Sequence, residues 1–135
     1  MATITNRKLT LRHDHTKKTV LATVTCDVNF TALELCQMKN CTGARHFKLR
    51  CQLWGDDDSI FDRTDNLLFT YGNVFFFPDG TPTATESRKF EVLLGEGVLN
   101  EDWLGQDEVY GLLRLTNLSA MSEVKKRTNT VVHSF

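Results

Sequence analysis

The feature that most constrains the fold is an alternation of apolar and polar side chains between Val20 and Phe30. Every second residue of this segment is apolar, and mostly polar residues stand between them. Because successive side chains of a strand point to opposite faces, this pattern predicts a strand with one buried face. The same period recurs between His46 and Trp54, where Lys48, Arg50 and Gln52 are expected to face water. Half-buried strands of this kind must pack against a second layer.

Further segments have the alternation or the β-branched content of strands. They are Leu9 to His13, Leu67 to Phe77 (one long or two short strands), Phe90 to Leu94, Val109 to Leu115 and Thr128 to Phe135. Turn residues separate the runs, most clearly at Pro78-Asp79-Gly80, and Lys125 to Arg127 is expected to be a solvated turn.

Only Thr31 to Lys39 has the pattern of a helix, because Thr31 and Glu34 have the spacing of a capping box. We therefore expect a single domain over residues 1–135, with seven to eight strands and at most one short helix. The predicted fold is an all-β antiparallel sandwich, C2-like or immunoglobulin-like. The sequence does not separate a sandwich from a closed barrel.

Charge and cysteine content exclude several classes of function. The net charge of -1 provides no broad basic field for nucleic acid. The first twenty residues contain no apolar signal core, and no run reaches transmembrane length. Without an export signal the four cysteines are expected to be reduced thiols, so the expected location is cytoplasmic.

Acidic residues cluster in two predicted loops. Asp56 and Asp58 follow one strand, and Asp102 and Glu108 precede another. Loop carboxylates are the ligands that calcium prefers, so calcium is the one cofactor that the sequence suggests.

The segment 98–111 resembles the third calcium loop of C2 domains. In that family two ligands stand two residues apart, a third follows six residues later and a glycine opens the next strand. Asn100, Asp102, Glu108 and Gly111 match these positions. The resemblance implies calcium binding through Asn100, Asp102 and Glu108, with Asp56 and Asp58 as first-loop ligands. It also implies calcium-dependent docking to anionic lipid or to a protein.

A second metal pattern is His13-Asp14-His15, which places two imidazoles on the same face of a strand. This spacing can chelate zinc or copper when at least one further ligand is present. The alternative is an ordinary surface strand beside a turn.

Catalytic motifs are absent: the sequence contains no nucleophile elbow, Walker loop, dinucleotide turn or zinc-protease helix. Cys26 and Cys51 fall on inward faces of predicted strands, where a cysteine usually serves as a small apolar residue. We therefore expect no enzymatic activity.

Aromatic residues suggest a partner. Phe75 and Phe76 point to opposite faces of one strand, so one of them should meet something beyond the core, and Trp103 is a further anchor. The leading hypothesis is a non-catalytic binding module acting in protein association or self-assembly. The alternatives are a C2-like calcium-dependent docking domain, with membrane contact only in that case, and a small-ligand-binding β-barrel.

Overall fold

The computed structural model describes residues 2–40, 47–55, 66–76, 84–99 and 107–133. The first five elements are β1 (Thr3–Asp14), β2 (Thr19–Asn29), α1 (Ala32–Asn40), β3 (Phe47–Gly55) and β4 (Asn66–Thr70). They are followed by β5 (Val74–Phe76), β6 (Thr85–Gly95), α2 (Glu96–Leu99), β7 (Asp107–Asn117) and β8 (Ser122–His133).

The strands form two antiparallel sheets. Sheet A has the order β1-β2-β6, and sheet B has the order β4-β3-β7-β8, with β5 also paired to β3. The predicted all-β sandwich of up to eight strands is thereby confirmed, and two separate sheets rather than a closed barrel enclose the core.

The core lies where the inner faces of the two sheets meet. In β2, buried and half-buried residues alternate over the whole strand, so the alternation from Val20 is confirmed. Val24 pairs with Leu9 of β1 and with Phe90 of β6, and all three are buried. Leu49 and Leu53 of β3 supply the facing layer and are fully buried. Each such side chain contributes roughly 1.5–3 kcal/mol through burial.

Tyr71 ties the two sheets together. Its backbone N–H donates to the Cys51 carbonyl in sheet B at 3.0 Å, and its hydroxyl donates to the Ala22 carbonyl in sheet A at 2.9 Å. The Tyr71 side chain therefore crosses the core without an unsatisfied polar atom. Burial raises the pKa of the Tyr71 hydroxyl, which stays a donor at neutral pH.

The capping box predicted at Thr31 is present at the start of α1. The Thr31 N–H donates to Glu34 Oε1 at 2.8 Å, and the Glu34 N–H donates to Thr31 Oγ1 at 3.2 Å. The second carboxylate oxygen of Glu34 accepts the Ala2 N–H at 3.0 Å, although Glu34 is buried. The cap thus also fastens the start of the chain to the helix.

Edge strands β1 and β8 meet along one side of the sandwich, and we call this contact the β1–β8 seam. At the seam, Asn129 Oδ1 accepts the Leu9 N–H at 2.7 Å, and Asn129 Nδ2 donates to the Leu9 carbonyl at 3.1 Å. A bulge in β8 opposite Gly111 places Thr128 inward, where Thr128 Oγ1 accepts the Gly111 N–H at 2.8 Å. The exposed edge of β1 is covered in this way.

Three local predictions were wrong. Gln52, which was expected to face water, is only 4% exposed, and its side-chain amide bonds to two neighbouring side chains of sheet B. Lys125 to Arg127 lies inside β8, which begins at Ser122, because the turn falls earlier, where Met121 has a φ of 55°. Charged side chains are common on edge strands, where they discourage pairing with other chains, so they do not mark a turn here. The sequence also did not anticipate α2, a single helical turn directly after β6.

Neither helix in the described part of the chain could cross a bilayer, since the longer one has nine residues.

Candidate functional site

The outer face of sheet B carries cationic side chains on three adjacent strands. Pairing between strands aligns Arg50 of β3 with Arg114 of β7, and Arg114 with Lys125 of β8. The three cations therefore form one row across adjacent strands, which we call the cationic row. Neighbouring strands lie about 4.8 Å apart, so the row spans roughly 10 Å. Lys48 lies one outward position away on β3.

No acidic group among the described residues forms an ion pair with the row. The ion pairs in that part of the chain involve His13, Arg88 and Lys89 instead. Like charges directly opposite each other in a sheet destabilise it. The cationic row is therefore expected to lower the stability of the sheet, so its presence needs another explanation.

Burial of Arg114, at the centre of the row, has a further free-energy cost. Its Nε atom is buried and has no hydrogen-bond partner among the described residues. An unsatisfied buried donor typically costs about 1–3 kcal/mol. A carboxylate placed over the row would offset the repulsion within it, since a guanidinium group recognises a carboxylate through several parallel N–H donors.

Aromatic residues lie on the same outer face. Phe75 of β5 pairs with Lys48 and is half-buried. Trp54 is also half-buried, and its indole N–H donates to Gln52 Oε1 at 3.2 Å. Arg127 stacks on Tyr110, with its Cζ 4.1 Å from the ring centroid. The face thus combines cations with rigid aromatic side chains, which is the composition enriched in protein interfaces.

Phe76 lies on the opposite side of β5 from Phe75. It is 5% exposed, and its ring centroid lies 5.3 Å from that of Phe30. Arg88 covers the Phe76 ring from β6, with its Cζ 4.7 Å from the centroid. Phe76 is therefore a core residue that joins the two sheets, and Phe75 is the member of the pair directed outward.

Of the predicted calcium ligands, only Glu108 lies in the described part of the chain. Glu108 lies in β7, where it pairs with Val132, and is half-buried. Asp56, Asp58, Asn100 and Asp102 lie outside the described residues, as does the partner anchor Trp103. Gly111 stands inside β7 opposite the β8 bulge. Calcium binding and the C2 resemblance stay predictions.

The outer face of sheet A differs because its polar groups bond to one another. Asp27 accepts Asn6 Nδ2 at 2.7 Å and Ser87 Oγ at 2.7 Å, and these bonds lower the pKa of the Asp27 carboxyl. Lys89 pairs with Glu91 at 3.3 Å. These polar groups of sheet A therefore have partners on their own face, whereas the cationic row of sheet B has no acidic partner among the described residues.

The buried thiols are poor nucleophiles. Burial, followed by the nearby negative charge of Asp27, raises the pKa of Cys26 to about 11. Burial also raises the pKa of Cys51, which is 0% exposed. Reactive cysteines need a depressed pKa and partial exposure, and these two residues have neither.

Part of the cationic row could be predicted from the sequence and part could not. The alternation of β3 already directed Arg50 outward, but its alignment with Arg114 depends on the pairing register of two distant strands. Lys125 was missed because a run of three basic residues resembles a turn. The outward period of β8 was the signal that could have found it.

No protein-family model matches the chain, and no curated protein matches its sequence. Among solved structures, the Northeast Structural Genomics Consortium target SoR45 aligns with 99% of this chain and 84% of its own, at 9% identity and a TM-score of 0.37. A similarity of this size carries no information about function.

Proposed function

We propose that this protein is a non-catalytic β-sandwich module that acts by protein association, and that the outer face of sheet B receives an acidic segment of the partner. The observation that carries the proposal is the cationic row of Arg50, Arg114 and Lys125, which has no acidic partner among the described residues. A partner carboxylate would relieve the repulsion within the row.

The mixed composition of the face favours a protein over a nucleic acid or a membrane. Glu123 lies on the same strand face as Lys125, two residues away, and would repel a continuous polyanion. Arginine and aromatic residues, here Arg114, Phe75 and Trp54, are the types that dominate binding energy in protein interfaces. A net charge of -1 also provides little long-range attraction for phosphates.

Self-association is one form of this proposal. Residues 56–65 contain the five aspartates Asp56, Asp57, Asp58, Asp62 and Asp65. A second copy of the chain therefore offers an acidic segment to the cationic row. The raised thiol pKa of Cys26 supports the non-catalytic part, and the unbridged thiols of Cys26 and Cys51 support a cytoplasmic location.

Binding of a synthetic acidic peptide tests the proposal. The probe is a labelled peptide with a few glutamates separated by neutral residues and with one phenylalanine, and its control has glutamine in place of every glutamate. Fluorescence anisotropy at low and at moderate salt should show binding of the acidic probe alone, weakened by salt. The double variant R50Q/K125Q should bind about tenfold more weakly, which corresponds to about 1.4 kcal/mol.

The matched control is K89Q/K8Q, which removes two charges from sheet A and leaves the row intact. Equal weakening by the two double variants would mean that only net charge matters and would overturn the proposal. Sedimentation velocity over a range of protein concentrations tests self-association in the same variants. A strict requirement for calcium in either assay would favour the C2-like alternative.

A further inference from the structure

The β1–β8 seam brings three of the four histidines of the sequence together. Asn129 bonds to Leu9, and His133 bonds to His13, and both pairs are separated by 120 residues. In both strands the second contact lies four residues after the first. β1 and β8 therefore run in the same direction here. This register places the end of β8 beside His13 and His15.

Two of the imidazole nitrogens already have a spacing close to that of two ligands on one metal ion. His13 Nδ1 and His133 Nε2 are 3.1 Å apart. Two nitrogens on a tetrahedral zinc ion, each bound at about 2.0–2.1 Å, stand about 3.3 Å apart. One ligand atom from each of His13, His15 and His133 falls within 4.8 Å of the others. A rotation of the exposed His15 side chain would complete the set.

Glu96 orients the buried member of the group. Its Oε2 lies 2.8 Å from Nε2 of His13, whose side chain is only 5% exposed. A proton on Nε2 shared with this carboxylate leaves the Nδ1 lone pair directed at His133. Metal-binding histidines almost always donate their other ring N–H to a carboxylate, a backbone carbonyl or a water, and this bond fixes the tautomer and the orientation of the ring. Glu96 is held in turn by its N–H, which donates to the Lys18 carbonyl at 3.0 Å.

We propose that His13, His15 and His133 form a binding site for a divalent first-row transition ion such as zinc or copper, with Glu96 as the carboxylate that positions His13. The class of ion follows from the donors. Imidazole nitrogen suits zinc, copper and nickel, whereas calcium and magnesium require oxygen ligands. Exposure of His15 gives the ion access from solvent.

Binding would join the ends of two edge strands. His13 belongs to sheet A and His133 to sheet B, so an ion shared between them cross-links the two layers. A ligand that binds only the folded chain raises its thermal midpoint by mass action. This inference is independent of the association proposal, because these residues take no part in the cationic row.

Isothermal titration with zinc chloride, on protein without an affinity tag and with its cysteines reduced, tests the site. One equivalent should bind, and cobalt as a spectroscopic probe should give the visible absorption of nitrogen coordination. H15A is the principal variant, because His15 is exposed and its loss should leave the fold intact. Loss of a ligand should weaken zinc binding by more than the 10- to 100-fold typical of a lost carboxylate partner.

Two further variants complete the experiment. E96Q should weaken binding by about 10- to 100-fold and alter the cobalt spectrum. H46A removes the remaining histidine of the sequence and should change nothing. Absence of stoichiometric zinc binding in the wild type would overturn the proposal. Binding that survives unchanged in both H15A and H133A would also overturn it, as would a thermal midpoint raised equally by calcium.

Discussion

Asn129 satisfies both backbone groups of Leu9: its Oδ1 accepts the Leu9 N–H at 2.7 Å and its Nδ2 donates to the Leu9 carbonyl at 3.1 Å. One side-chain amide thus replaces a neighbouring strand at the edge of sheet A. The β8 bulge opposite Gly111 directs Asn129 toward β1. The same contact sets the register that leads to His13 and His133.

Replacing Asn129 by alanine should lower the free energy of unfolding by about 1–3 kcal/mol, because the change leaves two backbone groups of the buried Leu9 unpaired. Chemical denaturation measures the change. T130A is the control, since Thr130 is exposed on the same strand. An N129A variant as stable as T130A would show that water replaces the amide and that the seam does not depend on it.

Replacing Gly111 by alanine should destabilise the fold by about 1–3 kcal/mol through overpacking. A Cβ at this position would lie 3.0 Å from Thr128 Cγ2 and 3.2 Å from Val24 Cγ2. Adding T128S removes the methyl group but keeps the hydroxyl, so the double variant should recover part of the loss. G72A meets nothing within 4 Å and should be nearly neutral. Additive effects of G111A and T128S in denaturation would contradict the contact.

The free energy of unfolding should depend on pH through the hydrogen bonds that the Asp27 carboxylate accepts. Hydrogen bonds from Asn6 and Ser87 hold the pKa of its carboxyl below the ordinary 3.8 in the folded chain. A depressed folded pKa gives stability that is present above the unfolded value and is lost as pH falls through the folded value. The difference in unfolding free energy between wild type and D27N should therefore be constant near pH 7 and shrink below about pH 4. A difference that grows on acidification would contradict this.

The buried thiols should be inert in the folded protein. In a C36S/C41S background, which leaves Cys26 and Cys51, a disulfide reagent should react only after denaturant is added. The physical reason is burial, which leaves Cys26 at 2% and Cys51 at 0% exposure and raises both pKa values. A rapid stoichiometric reaction in native buffer would indicate an activated thiol and would argue against a non-catalytic module.

Local pattern predicted much of the fold, and pairing between distant segments decided the sites. The alternation of β2 and the capping box at Thr31 each involve neighbouring residues, so the sequence was sufficient for them. The row that joins Arg50 to Lys125 depends on the register of three strands. His13 and His15 indicated half of a metal site, but His133 joins them only because β1 and β8 meet at the seam.

The most direct test of the association proposal is to locate the bound acidic peptide by amide chemical shifts of isotope-labelled protein. We expect perturbations concentrated on β3, β7 and β8 around Arg50, Arg114 and Lys125, with sheet A unaffected and with the pattern lost in R50Q/K125Q. Perturbations centred on the outer face of sheet A, or none at a peptide concentration that saturates anisotropy, would contradict the assignment of the binding face to sheet B.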